Sequence, residues 1–524
     1  MSGLKLPLFD QIVSQNLQLK DSRWTSAEIF NAATYIGFLI FVLALPFGYS
    51  TAFLNIGLSF VLLGWIGRIV SERKLGWQRT PLDIPIVFFL GLALIASLLA
   101  PHPDTSSLGY FWKHLRAVLL FYAVIHSHLG IRWRHVVIVF IAAAGISSAL
   151  GLWYYANDTR LAIDFMGRIG LQFQEELDAG EAPNLQISDD LRTELRECNV
   201  PLSQTALFVP ARKSDEWRID DPARERRYVV RKNEEHLMVY MIEQRLTGTF
   251  KMPNDLGAYL ALSLPLVIGY FIASWRKYPE QRISLWGTFV LGVVVIMMSA
   301  NLVLTLTRAA WVSVTVATVC LGVYLIVSAL RKFGPVDNLW KRVLLGGTII
   351  VLLLSASLFV MPQHIKARFQ TMIEHPVGFM GERPQWWKTS LELIRKYPLT
   401  GIGLGRFRYE YQRNGPPEQY NIPYHAHNIY LHIAVEHGIP SLLLFLWMVV
   451  IICQQVFTMR QAGGFWGTGT FIGVSGFLVS ALVYGLADNI LHQRTVLLFW
   501  FIIGIIFYTQ LPKDEKHEEI LETN

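Results

Sequence analysis

Runs of about 20 apolar residues, separated by short polar stretches, recur along the 524-residue chain. Each is long enough to cross a hydrocarbon core as a helix. The pattern predicts twelve membrane helices, at roughly 30–48, 51–70, 82–100, 109–128, 135–155, 256–275, 283–303, 309–330, 343–361, 438–458, 470–490 and 494–511. Lys113 and Arg116 interrupt the fourth. Two long polar segments break the rhythm, at 156–250 and 362–437. The expected class is an all-α polytopic membrane protein. Its parts are five helices in 1–155, a charged insertion at 156–250, helices six to nine in 251–361, a loop at 362–437, three helices in 438–511, and a tail at 512–524.

Charge orients this layout. The short loops "RIVSERKLGWQR", "IRWRH", "WRKYPEQR", "RKFGPVDNLWKR" and "TMRQ" are basic, whereas "FGYS" and "APHPDTSS" on the opposite side hold no Lys or Arg. Basic loops stay in the cytoplasm, so both termini are expected there and the two long segments outside. The net charge of +7 is thus a topology signal, and nucleic-acid binding is not expected. Composition agrees: 52% of residues are apolar and 16% charged, against about a quarter charged in soluble domains. The first 28 residues are polar, so no cleavable signal sequence is expected. Cys320 and Cys453 lie in apolar runs and Cys198 in a polar loop, which makes no disulfide or metal framework.

Candidate chemistry collects on the outer side. Arg308, in "LTLTRAAWVS", is the one Lys or Arg of an apolar external turn. It either snorkels to lipid headgroups or binds an anion through its forked guanidinium. Arg383 precedes Trp386 and Trp387, and is either a stacked surface arginine or a second anion ligand. Arg245 stands before the sixth helix in a charged loop. Asn254, in "PND" at the start of that helix, has N-cap chemistry. The stretch "YHAHNIYLHIAVEHG" crowds His425, His427, His432 and His437 with Glu436. His432 and Glu436 share a helix face, but no H-E-x-x-H spacing occurs and no metal is expected. A G-x-S-x-G elbow is also missing. A general base is better suited, since neutral imidazole accepts protons near pH 7; the alternative is histidines at a helix end.

These blocks resemble the bacterial O-antigen ligase family of membrane glycosyltransferases. The ligase motif is His, then Asn, Ser or Gln, nine residues, Gly, two residues, and Gly, Thr or Tyr. Here His427-Asn428 is followed by nine residues and Gly438, with Ser441 departing at the last position. "TGTFKMPNDLGAYLALSLPL", "LTRAAW" and "GERPQWW…YPLTGIGLGRF" resemble further family blocks in the family's order, covering most of 245–445. The resemblance implies an architecture like that of the GT-C glycosyltransferases and transfer of a glycan from undecaprenyl diphosphate to an acceptor sugar, lipid A–core in a ligase. The reaction would occur at the periplasmic face of the bacterial inner membrane, inverting and without metal or other cofactor. It implies His427 as base, Arg308, Arg383 and Arg245 as ligands of the leaving diphosphate, and Asn428, Asn254, Glu436 and Trp387 in support. The expected partners are the lipid-linked donor, the glycan acceptor and membrane lipids. An O-antigen or exopolysaccharide polymerase is the near alternative, favoured by the long insertion, and transfer to protein a further one. A glycolipid transporter or flippase is the alternative of another class; it would call for internal repeats and midplane charge, neither of which is evident.

Overall fold

The computed structural model describes residues 25–74, 76–102, 106–157, 161–179, 187–198, 200, 202–209, 216–221, 226–232, 236–275, 283–332, 383–415, 422–461, 463–491 and 493–510. The first helices are α1 (Ser26–Ala44), α2 (Thr51–Glu72), α3 (Asp83–Leu98), α4 (Ser106–Ile125) and α5 (Trp133–Ala156). The insertion follows, with β1 (Leu161–Ile169), α6 (Gln174–Ala179), α7 (Asp189–Glu197), β2 (Leu207–Val209), β3 (Glu216–Asp221), β4 (Arg226–Lys232) and β5 (Leu237–Leu246). Then come α8 (Pro253–Ser274), α9 (Leu285–Leu304), α10 (Arg308–Lys332), α11 (Arg383–Lys396), α12 (Phe407–Asn414), α13 (Ile429–His437), α14 (Ile439–Thr458), α15 (Gly464–Gly485) and α16 (Gln493–Tyr508).

Among the described residues, nine helices are long and apolar enough to cross a membrane, and two shorter apolar ones occupy Asp83–Leu98 and Arg494–Tyr508. They fall where eleven of the twelve helices were expected; the one at 343–361 lies outside the described residues, as do 512–524 and, within 362–437, residues 362–382 and 416–421. α8 is buried on nearly all sides, the mark of a helix enclosed by others. Its Gly269 meets Gly473 of α15 so closely that a Cβ would overlap the facing backbone.

The all-α expectation gives way over the insertion. Its strands form one antiparallel sheet in the order β1-β5-β4-β3-β2. Trp217, Ile219, Tyr228, Val230, Leu237 and Val239 bury one face against Leu191 and Leu195 of α7. The mixed charge that marks 156–250 as a charged insertion is partly the other face: Glu216 stands opposite Arg231 and Asp220 opposite Arg227, with Arg231 Nε 2.8 Å from Glu216 Oε1. Opposite charges facing across strands stabilise the pairing modestly. Because β1 pairs with β5, the insertion leaves and returns side by side, and β5 delivers Arg245 back to the helix ends.

Several helix ends are tied together there. The Gly48 N–H donates to Thr249 O at 2.8 Å. Arg494 donates through Nη1 to Ala44 O at 2.7 Å and through Nη2 to Gly48 O at 3.2 Å. The Tyr484 hydroxyl donates to Asn254 O at 3.4 Å. The candidate residues lie around this end of the bundle. α15 also stops at Gly485, short of the expected 490, which leaves 486–491 outside the helix.

Candidate active site

The site is built where α11, the start of α13 and the turn after α15 meet. Asn428 caps α13, its Oδ1 accepting from the Leu431 N–H at 3.0 Å, and its Nδ2 donates to Leu486 O at 3.1 Å. One side chain thus joins the helix start to the turn. Its neighbour His427 has φ +48°, a left-handed conformation costing a non-glycine residue about 1–2 kcal/mol. The imidazole lies against Trp386, ring centroids 4.6 Å apart and planes 28° apart. Trp387 donates from Nε1 to Ala426 O at 3.1 Å, which fixes the segment before the histidine.

His427 Nδ1 is 3.0 Å from Oδ1 of Asp488. Asp488 is buried, which by itself would raise its carboxyl pKa. The His427 hydrogen bond and the charges of His427, His425 and Arg383 overcome that burial and hold it well below the usual carboxylate range. An ionised carboxylate only accepts, so Nδ1 of His427 carries the proton of this bond. In the neutral ring the lone pair is then on Nε2. His425 sits beside it, ring centroids 4.1 Å apart, and its Nδ1 accepts from the His427 N–H at 3.3 Å. His425, His427 and Asp488 offer one ligand atom each within 4.8 Å of one another. They are the His and acid residues among the described ones that could share a metal ion, although the histidine spacing alone predicts none.

Asp488 is the functional candidate that sequence reasoning missed. A predicted helix reaching 490 absorbs it. The available signal was an acid and an amide, Asp488-Asn489, together at the end of an apolar run.

The other expected residues reach this corner by different routes. Arg383 opens α11, and its charge acts on both Asp488 and Tyr484. Arg245 donates from Nε to Thr305 O at 3.1 Å and from Nη2 to Asn254 Oδ1 at 2.7 Å. Asn254 is therefore not the N-cap. Met252 holds that position with extended backbone, Pro253 follows at the first helical position, and the Asn254 amide faces Arg245. Thr307 also donates to Asn254 Oδ1, at 3.3 Å, and Arg308 starts α10 one residue later. The Tyr484 hydroxyl, 3.4 Å from Asn254 O, lies 3.5 Å from Asp488 Oδ2. A polar chain thus runs from Arg245 through Asn254 and Tyr484 to Asp488 and His427.

Glu436 works elsewhere. Its carboxylate accepts from the N–H groups of Gly405 at 2.8 Å and Phe407 at 3.2 Å, at the start of α12. Burial pushes it up to about 7 despite those bonds. The imidazole it meets is His432, Nε2 to Oε2 3.6 Å, not His427. His437 packs between Phe89 and His114. The motif glycine, Gly438, has φ +86°, and a Cβ there would overlap Leu399 O. It sits at the break between α13 and α14, which only glycine fits without strain.

Residues 293–446 match the family profile described as O-antigen ligase. The chain carries an O-antigen ligase family domain. The matched span takes in Arg308, Arg383, Trp387, His427, Asn428 and Glu436, and Arg245, Asn254 and Asp488 fall outside it. The ligase-family domain and the apolar helices fit a multi-pass membrane protein of glycosyltransferase-like chemistry. No curated protein matches the chain.

Proposed function

We propose that the protein moves a glycan from undecaprenyl diphosphate to an acceptor sugar, lipid A–core, at the periplasmic face of the inner membrane, without a metal. The observation that carries this reading is the hydrogen bond between His427 Nδ1 and Asp488 Oδ1, which aims Nε2 away from the carboxylate as a proton acceptor. In the proposed step Nε2 takes the proton of an acceptor hydroxyl. That oxygen bonds to the anomeric carbon, the carbon–oxygen bond to the diphosphate breaks, and undecaprenyl diphosphate leaves with the bonding pair. Attack from the face opposite the leaving group inverts the anomeric centre. Charge developing on the diphosphate is matched by guanidinium groups. Arg383, beside Asp488, and Arg308 are the first candidates. Arg245, already oriented by Thr305 and Asn254, is the third. Asp488 orients the ring and stabilises the imidazolium formed when Nε2 is protonated.

A polymerase would run the same step with a second lipid-linked repeat unit as acceptor. One observation favours it: the insertion folds around its own core and returns through β5 straight to Arg245, where it could hold a growing glycan. Purified protein in liposomes, given an undecaprenyl-diphosphate glycan with and without lipid A–core, separates the two. Product only with lipid A–core is the expected result. Elongated glycan from the donor alone would establish the polymerase, and no covalent product with authentic substrates in either tube would refute the transferase.

A further inference from the structure

The His427 ring has two neighbours on different elements. Trp386 of α11, three residues from Arg383, stacks on it at 4.6 Å, and His425 approaches at 4.1 Å. Beyond His425 the packing continues to His432, ring centroids 6.1 Å apart, and from His432 to Phe407 at 6.0 Å. Phe407 opens α12, so this route leads to a set of cations separate from those given to the donor diphosphate.

That set is organised on aromatic rings. The Arg406 guanidinium lies 4.3 Å from the Tyr409 ring centroid and that of Arg413 5.6 Å from it. Arg413 Nη1 also donates to the Tyr409 hydroxyl at 3.0 Å. Arg408 lies 4.2 Å over Tyr424, the residue before His425. Tyr424 is 69% exposed and Tyr409 38%, so both keep open ring surface. The acid of α12 does not neutralise this face: Glu410 is 1% exposed, paired with His102 at 2.6 Å and bonded by Asn414 at 3.2 Å. A guanidinium held over an aromatic ring keeps its planar N–H fork for an oxyanion, and an open tyrosine face is an apolar platform for a sugar ring.

We propose that α12 and Tyr424 form the acceptor-side subsite and that it takes an anionic saccharide. Sugar rings lie on Tyr424 and Tyr409, and the saccharide's phosphate or carboxylate lies on Arg408 and Arg413, the exposed guanidinium groups of the set; Arg406, 8% exposed, packs beneath Tyr409. Naming the saccharide as acceptor rests on the transfer reading; its binding does not. The acceptor hydroxyl then approaches His427 from the His425 side.

The test uses full-length protein in nanodiscs without donor, and three oligosaccharides of equal length: phosphorylated, uronic-acid-bearing and neutral. Calorimetry reads their affinities for wild type, Arg408→Ala and Tyr424→Ala, both substitutions at exposed positions. Wild type is expected to prefer an anionic ligand by about tenfold or more, with the preference shrinking at high salt. Whether phosphate or carboxylate gives it identifies the anion. Arg408→Ala should abolish the preference and Tyr424→Ala should weaken all three ligands. Equal wild-type affinity for the neutral ligand, or a preference that survives Arg408→Ala, overturns the proposal. In transfer assays Arg408→Ala should raise the acceptor KM with the donor KM unchanged, and the reverse assigns the patch to the donor and refutes it. Anion-selective binding without transfer from any donor would leave the subsite standing and sink the transferase reading.

Discussion

Two buried carboxylates stand at the ends of α13 and α15, and their surroundings make them opposites. Asp488 is held ionised by His427, with His425 and Arg383 adding charge. Among the described residues Glu436 has backbone N–H partners and the more distant His432, and burial pushes it up to about 7. Burial acts on both; what differs is whether cations and a hydrogen-bonding imidazole answer it. The first arrangement sets the tautomer of the His427 ring, and the second pins the glycine turn of 401–405 against α13. A carboxylate beside a histidine in sequence is therefore a poor guide to which acid serves the histidine. Glu436 shares the histidine-rich stretch, yet the partner of His427 comes from 61 residues further on.

The contrast can be tested in order of expected effect. Removing the proposed base, His427→Ala, should lower transfer by about 10²–10⁴-fold with the protein still folded, read by initial rates and circular dichroism. Gly438→Ala should act on folding, because it forces a side chain into a positive-φ break beside Leu399. A loss of about 1–3 kcal/mol is expected, seen as reduced thermal stability of the detergent-solubilised protein; unchanged stability would remove this explanation of the motif glycine. Glu436→Gln should leave the pH dependence of transfer largely intact and alter that of stability. Its folded pKa is raised, so its contribution is full below the unfolded value of 4.5 and is lost as pH rises through about 7. Melting temperature should fall from pH 5 to pH 8 in wild type and fall less in Glu436→Gln; identical slopes would contradict the assignment. Asn254→Ala should release Arg245 from its 2.7 Å partner and slow transfer by about tenfold, the scale of one charge-assisted hydrogen bond. An unchanged rate would make Arg245 merely structural.

Much of the fold was legible because a membrane helix declares itself in one dimension. Eleven of the expected helices need only a run of apolar residues, and structure and pattern agree on them to within a few residues in most cases. The sheet of the insertion was not legible. Strands such as "EWRIDD" and "RRYVVRK" carry their charges on one face, and the dense Arg, Asp and Glu mask the alternation that buries Trp217, Ile219, Tyr228 and Val230. At the site, His427, Trp387, Asn428 and Arg383 were readable through motif spacing, and the structure brings them together. Asp488 was not, because its role depends on a pairing across 61 residues and on α15 stopping at Gly485. Asn254 was misread through two residues of register: Pro253 takes the first helical position, moves the cap to Met252 and frees the amide for Arg245.

On the proposed mechanism Asp488 and His427 act as one unit. A double-mutant cycle on the transfer rate, with Asp488→Asn, His427→Ala and the pair in protein shown to be folded, tests it most directly. Asp488→Asn alone should slow transfer by about a hundredfold or more, and the pair should be no slower than His427→Ala alone. Wild-type rates in Asp488→Asn, or losses that multiply in the pair, would contradict it.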